Sequence, residues 1–294
     1  MNKTDASSVA LPTVAQQVPE FYCAEIWGGN RPMDGAIRVP GARGWVYSHP
    51  SEGGRGGDIH YVSLCNSGLI SRFCLADVAG HGETVAKVSD EIHTLLRRYM
   101  NTLDQRRVLA ELNRRLEGTE QGTMTTAAVI TYFPPAHTLS VSYAGHPPGW
   151  LYRQADGQWS RLISEPRVEG RAALRDLPLA IFPLTSFSRR KEHTRTGDRV
   201  LVVTDGVLEA PAPDGELFGD ARLARVLNEH AGDDVRGLAH AIVAAVSAHM
   251  HDQHLPHDDV TLLVIEFAPG PRGLGIWHAL KRRFLPRPRA AGAS

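Results

Sequence analysis

Aspartates stand at the ends of four apolar, strand-like segments, and this placement limits the possible folds more than any other feature of the chain. The run Leu69–Ala76, LISRFCLA, has the aliphatic and aromatic composition of a buried strand and contains no proline. Asp77 follows it directly and leads into a turn with glycines at positions 80 and 82. The other segments carry acids in the same way, and the full set is Asp58, Asp77, Asp205, Asp258 and Asp259.

These collected acids predict a divalent metal site. Carboxylates gathered in one place repel one another and raise each other's pKa unless a cation lies between them. A set of oxygen donors without a thiolate cluster favours Mg²⁺ or Mn²⁺ over Zn²⁺ or Cu²⁺. A single Asp-Gly pair is common in ordinary turns, where the aspartate bonds to the next backbone amides. Four such places together favour the metal site over that alternative.

Charge and composition exclude several classes of function. The chain has 32 Lys and Arg and 32 Asp and Glu, so no net field favours nucleic acid or a membrane surface. No apolar run reaches the roughly 20 residues that a membrane-spanning helix needs, and residues 1–20 do not resemble a secretory signal. Cys23, Cys65 and Cys74 lack C-x-x-C spacing, which predicts reduced core cysteines in a cytoplasmic protein. A disulfide between Cys65 and Cys74 is the alternative.

The spacing of apolar residues divides the chain into hairpins and helices. Hairpins are expected where apolar segments flank the turns NSG at 66–68 and PPAH at 134–137. The segment Glu25–Arg31 could add an edge strand or a gate, and simple packing of Trp27 is the alternative. The polar stretch from Gln154 to Asp176 is interpreted as a loop. Four helices are expected, at Val85–Tyr99, Asp104–Leu116, Asp220–Glu229 and Asp234–Met250.

Antiparallel hairpins that alternate with paired helices predict an α+β layered domain rather than a parallel α/β sheet. This domain is expected at 21–268, after a flexible lead-in at 1–20 and before a basic, proline-containing tail at 269–294. The tail is expected to be disordered or weakly helical, and docking on a membrane or a partner is the alternative.

Five motifs occur in the order found in a known family. They are GGD at 56–58, ADVAGHG at 76–82, YAGHPP at 143–148, TGDRVLVVTDGVLEA followed by GELFG at 196–219, and DDVTLLVIEF at 258–267. Over about residues 45–267 the chain resembles the metal-dependent serine/threonine phosphatases of the protein phosphatase 2C-like superfamily. More narrowly, it is similar to their bacterial SpoIIE/RsbU-type branch. The resemblance implies two packed antiparallel β-sheets flanked by helices, with a centre of two Mn²⁺ or Mg²⁺ ions at one end.

The resemblance also implies a role for each acid. Asp77 matches the aspartate that bridges the two ions, and the backbone carbonyl of Val78 would be a further ligand. Asp259 is expected to support the ligands, and an exchange of roles between Asp258 and Asp259 is the alternative. The other matched ligands are Asp58, Asp205 and Asp258.

Two further residues are candidates for the chemistry. His81, one turn after Asp77, could protonate the leaving group, whereas the alternative is a histidine that only stabilises the turn. Arg55 lies on the glycine-rich loop before Asp58 and could bind a phosphate with its guanidinium. An ordinary solvated arginine is the alternative.

The function implied by the resemblance is hydrolysis of phosphoserine or phosphothreonine on a partner protein, by analogy an anti-anti-sigma-type regulator. The absence of a G-x-S-x-G motif disfavours a serine hydrolase. The alternatives are a binding protein that keeps the fold without catalysis and a phosphatase of small phosphorylated molecules. The helices Val85–Tyr99 and Asp104–Leu116 are expected to contact a regulatory partner or a second copy of the chain.

A cluster of histidines lies just before the last acidic pair. It either complements a helix C-terminus or takes up Zn²⁺. Its members are His249, His251, His254 and His257.

Overall fold

The computed structural model describes residues 24–51, 54–65, 69–80, 83–99, 101–117, 123–163, 175–251 and 258–269. The strands are β1 (Ala24–Gly29), β2 (Met33–Val39), β3 (Ala42–His49), β4 (Ile59–Cys65), β5 (Ile70–Val78), β6 (Thr125–Phe133), β7 (Thr138–Ala144), β8 (Gly149–Arg153), β9 (Gln158–Leu162), β10 (Arg190–His193), β11 (Arg199–Val203) and β12 (Val260–Phe267). The helices are α1 (Glu83–Arg98), α2 (Gln105–Leu116), α3 (Asp205–Leu208), α4 (Gly219–Glu229) and α5 (Val235–Met250).

The strands form two six-stranded antiparallel sheets. Sheet A has the order β1-β4-β5-β6-β7-β10, and sheet B has the order β2-β3-β12-β11-β8-β9. Each sheet combines hairpins with strands that are distant in sequence: β12, the last strand, pairs with β3 and β11 in the middle of sheet B. The last acidic pair is thereby brought between segments from the first and second halves of the chain.

Three apolar layers hold the sandwich together. The inner faces of the two sheets meet in a core that includes Phe73, Ile130, Val200 and Ile265. Helices α1 and α2 cover the outer face of sheet A, and α3, α4 and α5 cover the outer face of sheet B. Burial of apolar side chains on both faces of both sheets explains why most strands are nearly continuous apolar runs. The predicted α+β class, with two packed antiparallel sheets flanked by helices, is confirmed.

The helices lie where the apolar spacing predicts them. In α1 the stripe that includes Val85, Val88 and Ile92 is buried against sheet A. Asp104 caps α2 by accepting a hydrogen bond from the Arg106 amide at 3.1 Å, and Asp234 caps α5 in the same way. Capping aspartates therefore marked both helix starts in the sequence.

The sequence predicts the edge strands less well than the central strands. The predicted edge strand near Glu25–Arg31 is confirmed as β1, which pairs with β4. The loop interpretation of Gln154–Asp176 is wrong for β9, and β10 was not anticipated. Both are sheet edges with alternating or polar exposure. A strand that pairs on one side and faces solvent needs no apolar run, so it resembles a loop in sequence.

The described residues include one buried free cysteine and no helix that could span a membrane. Cys74 is a buried free thiol whose pKa is raised to about 12 by burial. The disulfide alternative is therefore wrong. None of the described helices combines the length and the apolar character needed to cross a bilayer. The lead-in 1–20 and the tail after residue 269 lie outside the described residues.

Candidate metal centre

Strand pairing brings the acidic positions to one end of the sandwich. In sheet A, Ile59 pairs with Ala76, so Asp58 and Asp77 lie beside each other where β4 begins and β5 ends. In sheet B, β11 ends and β12 begins at the same edge, because Val203 pairs with Leu262. Asp205 follows the first of these strands, and the pair Asp258 and Asp259 precedes the second. The site therefore draws carboxylates from both sheets.

The charges of these groups act on one another across the gap between the sheets. Burial and the neighbouring charges of Asp205 and Asp258 raise the pKa of Asp77 to about 7. The pKa of Asp205 is also raised, by burial and then by Asp258 and Glu209. Asp77 and Asp205 thus resist ionisation, and a cation placed beside them would favour their charged forms.

Asp58 is the most deeply buried acid of the group. Its residue is 2% exposed, and burial, followed by the charge of Asp77, raises its pKa well above the usual range. Hydrogen bonds from Thr261 and Thr204 act in the opposite direction. The Thr204 hydroxyl donates to Asp58 Oδ2 at 2.8 Å. Asp58 lies on the loop before a sheet A strand, yet its donors come from sheet B.

Asp259 is surrounded by hydrogen-bond donors. Its Oδ1 accepts from the Ser51 amide at 2.7 Å and from the Ser51 hydroxyl at 3.0 Å. Its Oδ2 accepts from the Gly57 amide and, at 3.2 Å, from the Asp58 amide. Both oxygens are therefore engaged in holding the loop that carries Asp58 against sheet B.

The glycines beside the acids allow close backbone approaches. A Cβ on Gly57 would lie 2.6 Å from the carbonyl oxygen of Val78, the predicted backbone ligand. A Cβ on Gly206 would lie 2.0 Å from the carbonyl oxygen of Asp259. Neither position has room for a larger residue, which gives the GGD and DG motifs a steric cause.

Of the two remaining candidate residues, Arg55 is among the described residues and His81 is not. Arg55 is exposed, and its Nη1 atom lies 3.6 Å from Asp90 Oδ2 on α1. The guanidinium thus lies between the loop that carries Asp58 and the helix that follows Val78. His81 lies outside the described residues.

Sequence reasoning missed several residues at this end of the sandwich. Asn30 exchanges two hydrogen bonds of 2.9 Å with the backbone of Gly56, so β1 braces the glycine-rich loop. Glu209 adds negative charge close enough to raise the pKa of Asp77 and Asp205. Its place in the DGVLEA segment, one helical turn after Asp205, was the available signal. Thr204 and Thr261 carried no such signal, because threonine is common in strands.

The histidine cluster is only partly described. His249 Nε2 lies 2.8 Å from the carbonyl oxygen of Glu216, and its ring packs against Phe218 at 5.6 Å between centroids. His251 has left-handed backbone angles at the end of α5. Both fit the interpretation of a helix end, and His254 and His257 lie outside the described residues.

Sequence and structure comparisons assign the chain to a known family. The family model described as Stage II sporulation protein E (SpoIIE) matches residues 71–268, more than half of the chain. The chain belongs to the SpoIIE family. The match includes Asp77, Asp205 and the last acidic pair, whereas Asp58 precedes it.

This SpoIIE-family chain is similar in sequence to the phosphoserine phosphatase RsbU of Bacillus subtilis (strain 168). The two are 26% identical over 193 residues, which span 65% of this chain and 54% of RsbU. The chain therefore matches about half the length of that relative.

Solved structures share the fold. The RsbU and RsbW domains of Rv1364c from Mycobacterium tuberculosis superpose with a TM-score of 0.64 at 24% identity, covering 79% of this chain and 61% of that one. RsbX, solved in complex with magnesium, superposes with a TM-score of 0.57 at 15% identity, covering 80% and 100%. The sandwich of this SpoIIE-family chain is thus the protein phosphatase 2C-like fold.

The candidate ligands are all oxygen atoms, which suit a hard cation. In the part of the chain that the structure describes, no three His, Cys, Asp or Glu side chains form a compact group around one point. Carboxylates that repel one another are expected to stand apart in this way. Burial, and then the charges of neighbouring acids, raise the pKa of Asp58, Asp77 and Asp205, and oxygen ligands of this kind match Mg²⁺ or Mn²⁺.

Proposed function

We propose that this SpoIIE-family chain is a metal-dependent protein phosphatase that hydrolyses phosphoserine or phosphothreonine on a partner protein. The observation that carries the proposal is the set of carboxylates that strand pairing brings from both sheets to one end of the sandwich, where burial and neighbouring acids raise the pKa of Asp77 and Asp205. Such a set is suited to hold divalent cations rather than to act alone as an acid or base. The likeness to RsbU, named a phosphoserine phosphatase, supports the choice of reaction.

The proposed ligands are all oxygen atoms at the strand ends. By the resemblance of its motif, Asp77 would be the acid shared by the two ions, and its carboxylate lies close enough to Asp205 and Asp258 for their charges to act on it. Bound Mn²⁺ or Mg²⁺ would lower the pKa of a coordinated water and neutralise charge on the phosphoryl oxygens. The magnesium in the RsbX complex supports this choice of ion. The proposed ligands are Asp58, Asp77, Asp205, Asp258 and the carbonyl of Val78.

The two adjacent acids before β12 receive different roles. Both oxygens of Asp259 accept hydrogen bonds from the segment Ser51–Asp58, so Asp259 is proposed to position Asp58 rather than to bind metal as a main ligand. Asp258 is exposed and uses one oxygen on the Asp259 amide, at 2.7 Å. Its other oxygen is the proposed metal ligand.

Arg55 is proposed to bind the substrate phosphate. It is on the same loop as Asp58, and its present partner, Asp90, is an exposed carboxylate at 3.6 Å. An exposed pair of this kind contributes roughly 0–1 kcal/mol, so a doubly charged phosphate can replace Asp90 at little cost. His81 stays a prediction for the acid that protonates the leaving group.

The proposed substrate is a phosphorylated protein of the anti-anti-sigma type, by analogy with the family that the motifs resemble. The proposed contact for a regulatory partner or a second copy of the chain is the layer formed by α1 and α2. This layer covers the sheet that carries Asp77 and packs against the same strand.

Hydrolysis of p-nitrophenyl phosphate and of a phosphoserine peptide, each across a Mn²⁺ titration, tests the proposal. The wild-type chain should hydrolyse both only with metal. Asp77→Asn should be inactive at every Mn²⁺ concentration, whereas excess Mn²⁺ should partly restore Asp58→Asn and Asp259→Asn.

Three results would contradict this assignment in different ways. A folded wild-type chain without turnover would favour the binding-protein alternative. Turnover of small esters without turnover of phosphopeptides would favour a small-molecule phosphatase. An Asp77→Asn chain with wild-type turnover would remove the two-metal centre from the mechanism.

A further inference from the structure

A chain of buried hydroxyl groups runs from the centre of sheet B to Asp58. The Thr204 hydroxyl donates to Asp58 Oδ2 at 2.8 Å, and the Thr261 amide donates to the Thr204 hydroxyl oxygen at 3.0 Å. The Thr261 hydroxyl in turn donates to the Ser48 hydroxyl at 2.9 Å. Both threonines are 0% exposed and Ser48 is 3% exposed. Water therefore does not compete for these hydrogen bonds.

The neighbouring backbone fixes the direction of the Thr204 hydrogen bond. The oxygen of Thr204 already accepts the amide proton of Thr261, so its single proton is available for an acceptor. Two acceptors are in reach, and Asp58 Oδ2 at 2.8 Å is nearer than the Thr261 carbonyl at 3.2 Å. A hydroxyl held in this way stabilises a carboxylate in one orientation.

Thr204 also occupies a position where its side chain would ordinarily serve a helix. It is the N-cap residue of α3, and threonine at an N-cap commonly accepts a hydrogen bond from a backbone amide of the first turn. Its hydroxyl makes no such bond here. The side chain is directed to Asp58 instead, so its role lies in the site rather than in the start of the helix.

We propose that Thr204 is a positioning residue that holds Asp58 of the sheet A loop against sheet B in the orientation needed for metal binding, and that the Thr261 backbone amide orients the Thr204 hydroxyl. Ser48 extends the same connection to β3. This inference rests on the proposed function, since it assigns these residues a role only if Asp58 binds metal. It adds a requirement that the acidic motifs alone do not state: the two sheets must be joined by hydroxyls for the ligands to meet.

Calorimetric titration of Mn²⁺ into the full chain tests the inference without relying on turnover. Thr204→Val keeps the side-chain volume and removes the donor, and Thr204→Ser keeps the donor. Removing a residue that orients a metal ligand typically weakens metal binding about 10- to 100-fold. Thr204→Val should show a loss of this size, Thr204→Ser should bind within a few-fold of wild type, and kcat at saturating Mn²⁺ should fall less than Mn²⁺ affinity.

Thr131 provides a matched control. It is a buried threonine, 7% exposed, and its hydroxyl has no hydrogen-bond partner among the residues that the structure describes. It pairs with Arg72, toward the end of β5 opposite to Asp77. Thr131→Val should therefore leave Mn²⁺ affinity unchanged. If Thr204→Val does not fold, Thr204→Ala removes the same donor and carries the same expectation, with melting curves to confirm that each variant is folded.

The outcomes separate the inference from the proposed function. A wild-type chain that binds Mn²⁺, together with a folded Thr204→Val or Thr204→Ala chain of equal affinity, would overturn the inference alone. Equal losses in Thr204→Val and Thr204→Ser would also overturn it, because the hydroxyl would then not be the group that matters. A wild-type chain that neither binds Mn²⁺ nor hydrolyses phosphate esters would overturn the proposed function and this inference with it.

Discussion

The aspartates at the strand ends carry the same side chain and differ in what surrounds it. Asp259 accepts hydrogen bonds from three backbone amides and a hydroxyl, and Asp58 accepts one from the buried Thr204 hydroxyl. Burial and the charges of other carboxylates raise the pKa of Asp77. Both oxygens of Asp259 are engaged by donors, whereas one oxygen of Asp58 and the carboxylate of Asp77 are proposed to bind a cation. Local environment, rather than residue type, therefore distinguishes the proposed positioning acid from the proposed ligands.

At the scale of single residues, Gly57 offers a test that leaves every charge unchanged. A Cβ on this residue would lie 2.6 Å from the Val78 carbonyl oxygen, closer than real Cβ contacts allow. Gly57→Ala should therefore displace that carbonyl and weaken Mn²⁺ binding at least tenfold, by analogy with other losses around metal ligands. Calorimetric titration of Mn²⁺ measures the effect.

Gly232→Ala is the matched control for this substitution. No heavy atom lies within 4 Å of a Cβ at Gly232. The same added methyl group should therefore be accommodated there, with Mn²⁺ affinity as in wild type. Equal Mn²⁺ affinity in Gly57→Ala and Gly232→Ala would show that the close approach to Val78 has no part in metal binding.

Individual residues of the site could be predicted only where their chemistry is distinctive. Acids beside glycines at strand ends pointed to Asp58, Asp77 and Asp205, because neighbouring carboxylates repel one another unless a cation lies between them. Thr204 was hidden in a β-type segment, where threonine is an ordinary residue. Its role depends on a partner 146 positions away in sequence. No local pattern contains that information.

At the scale of elements, α1 is placed to connect the outer layer with the proposed metal centre. It begins at Glu83, shortly after the strand that carries Asp77 and Val78. Val78 and Val88 belong to the same buried cluster, and Asp90 contacts Arg55 on the glycine-rich loop. A shift of this helix would therefore move groups on both sides of the site together.

Val88→Ala tests this connection. Loss of a valine side chain from a fully packed position should lower the free energy of unfolding by roughly 2 kcal/mol. If α1 is coupled to the centre, Mn²⁺ affinity should also fall several-fold. Val246→Ala on α5 is the control, because Val246 is 3% exposed and Val88 is 4% exposed. The control should lose similar stability and keep its Mn²⁺ affinity. A Val88→Ala chain that changes only in melting temperature would argue against the coupling.

Elements were predictable in proportion to how deeply they are buried. The helices α1 and α2 and the central strands show clear periodicity or apolar runs, because one or both faces must leave water. The sequence RKEH of β10 carries no such signal. That strand is held by pairing of its backbone with β7, which depends on the neighbour rather than on its own side chains.

At the scale of the whole molecule, the sandwich brings together charges that would be far apart in an unfolded chain. Asp58 and Asp77 come from sheet A, and Asp205, Asp258 and Asp259 come from sheet B. The sequence could predict two layers from hairpins and paired helices. It could not predict that Asp58 is anchored to the opposite sheet, because that contact depends on how the finished layers meet.

This arrangement predicts how stability depends on pH when no metal is added. The pKa of Asp77 is about 7 in the folded chain, against an ordinary value of 3.8. Between these values the folded chain binds more protons than the unfolded chain, so its free energy of unfolding falls as pH rises. The contribution of Asp77 is fully present below about pH 4 and is lost by about pH 7. The raised pKa values of Asp58 and Asp205 act in the same direction.

Melting curves at pH 5.5 and pH 7.5, with and without Mn²⁺, provide the measurement. Because metal binding requires deprotonated ligands, Mn²⁺ should raise the melting temperature more at pH 7.5 than at pH 5.5. Asp77→Asn removes one of the repelling charges, so it should melt higher than wild type at pH 7.5 without metal and gain little from Mn²⁺. Asp156→Asn, in the exposed turn between β8 and β9, should behave as wild type. An Asp77→Asn chain with wild-type pH dependence and wild-type Mn²⁺ stabilisation would show that carboxylate repulsion does not limit the stability of the metal-free fold.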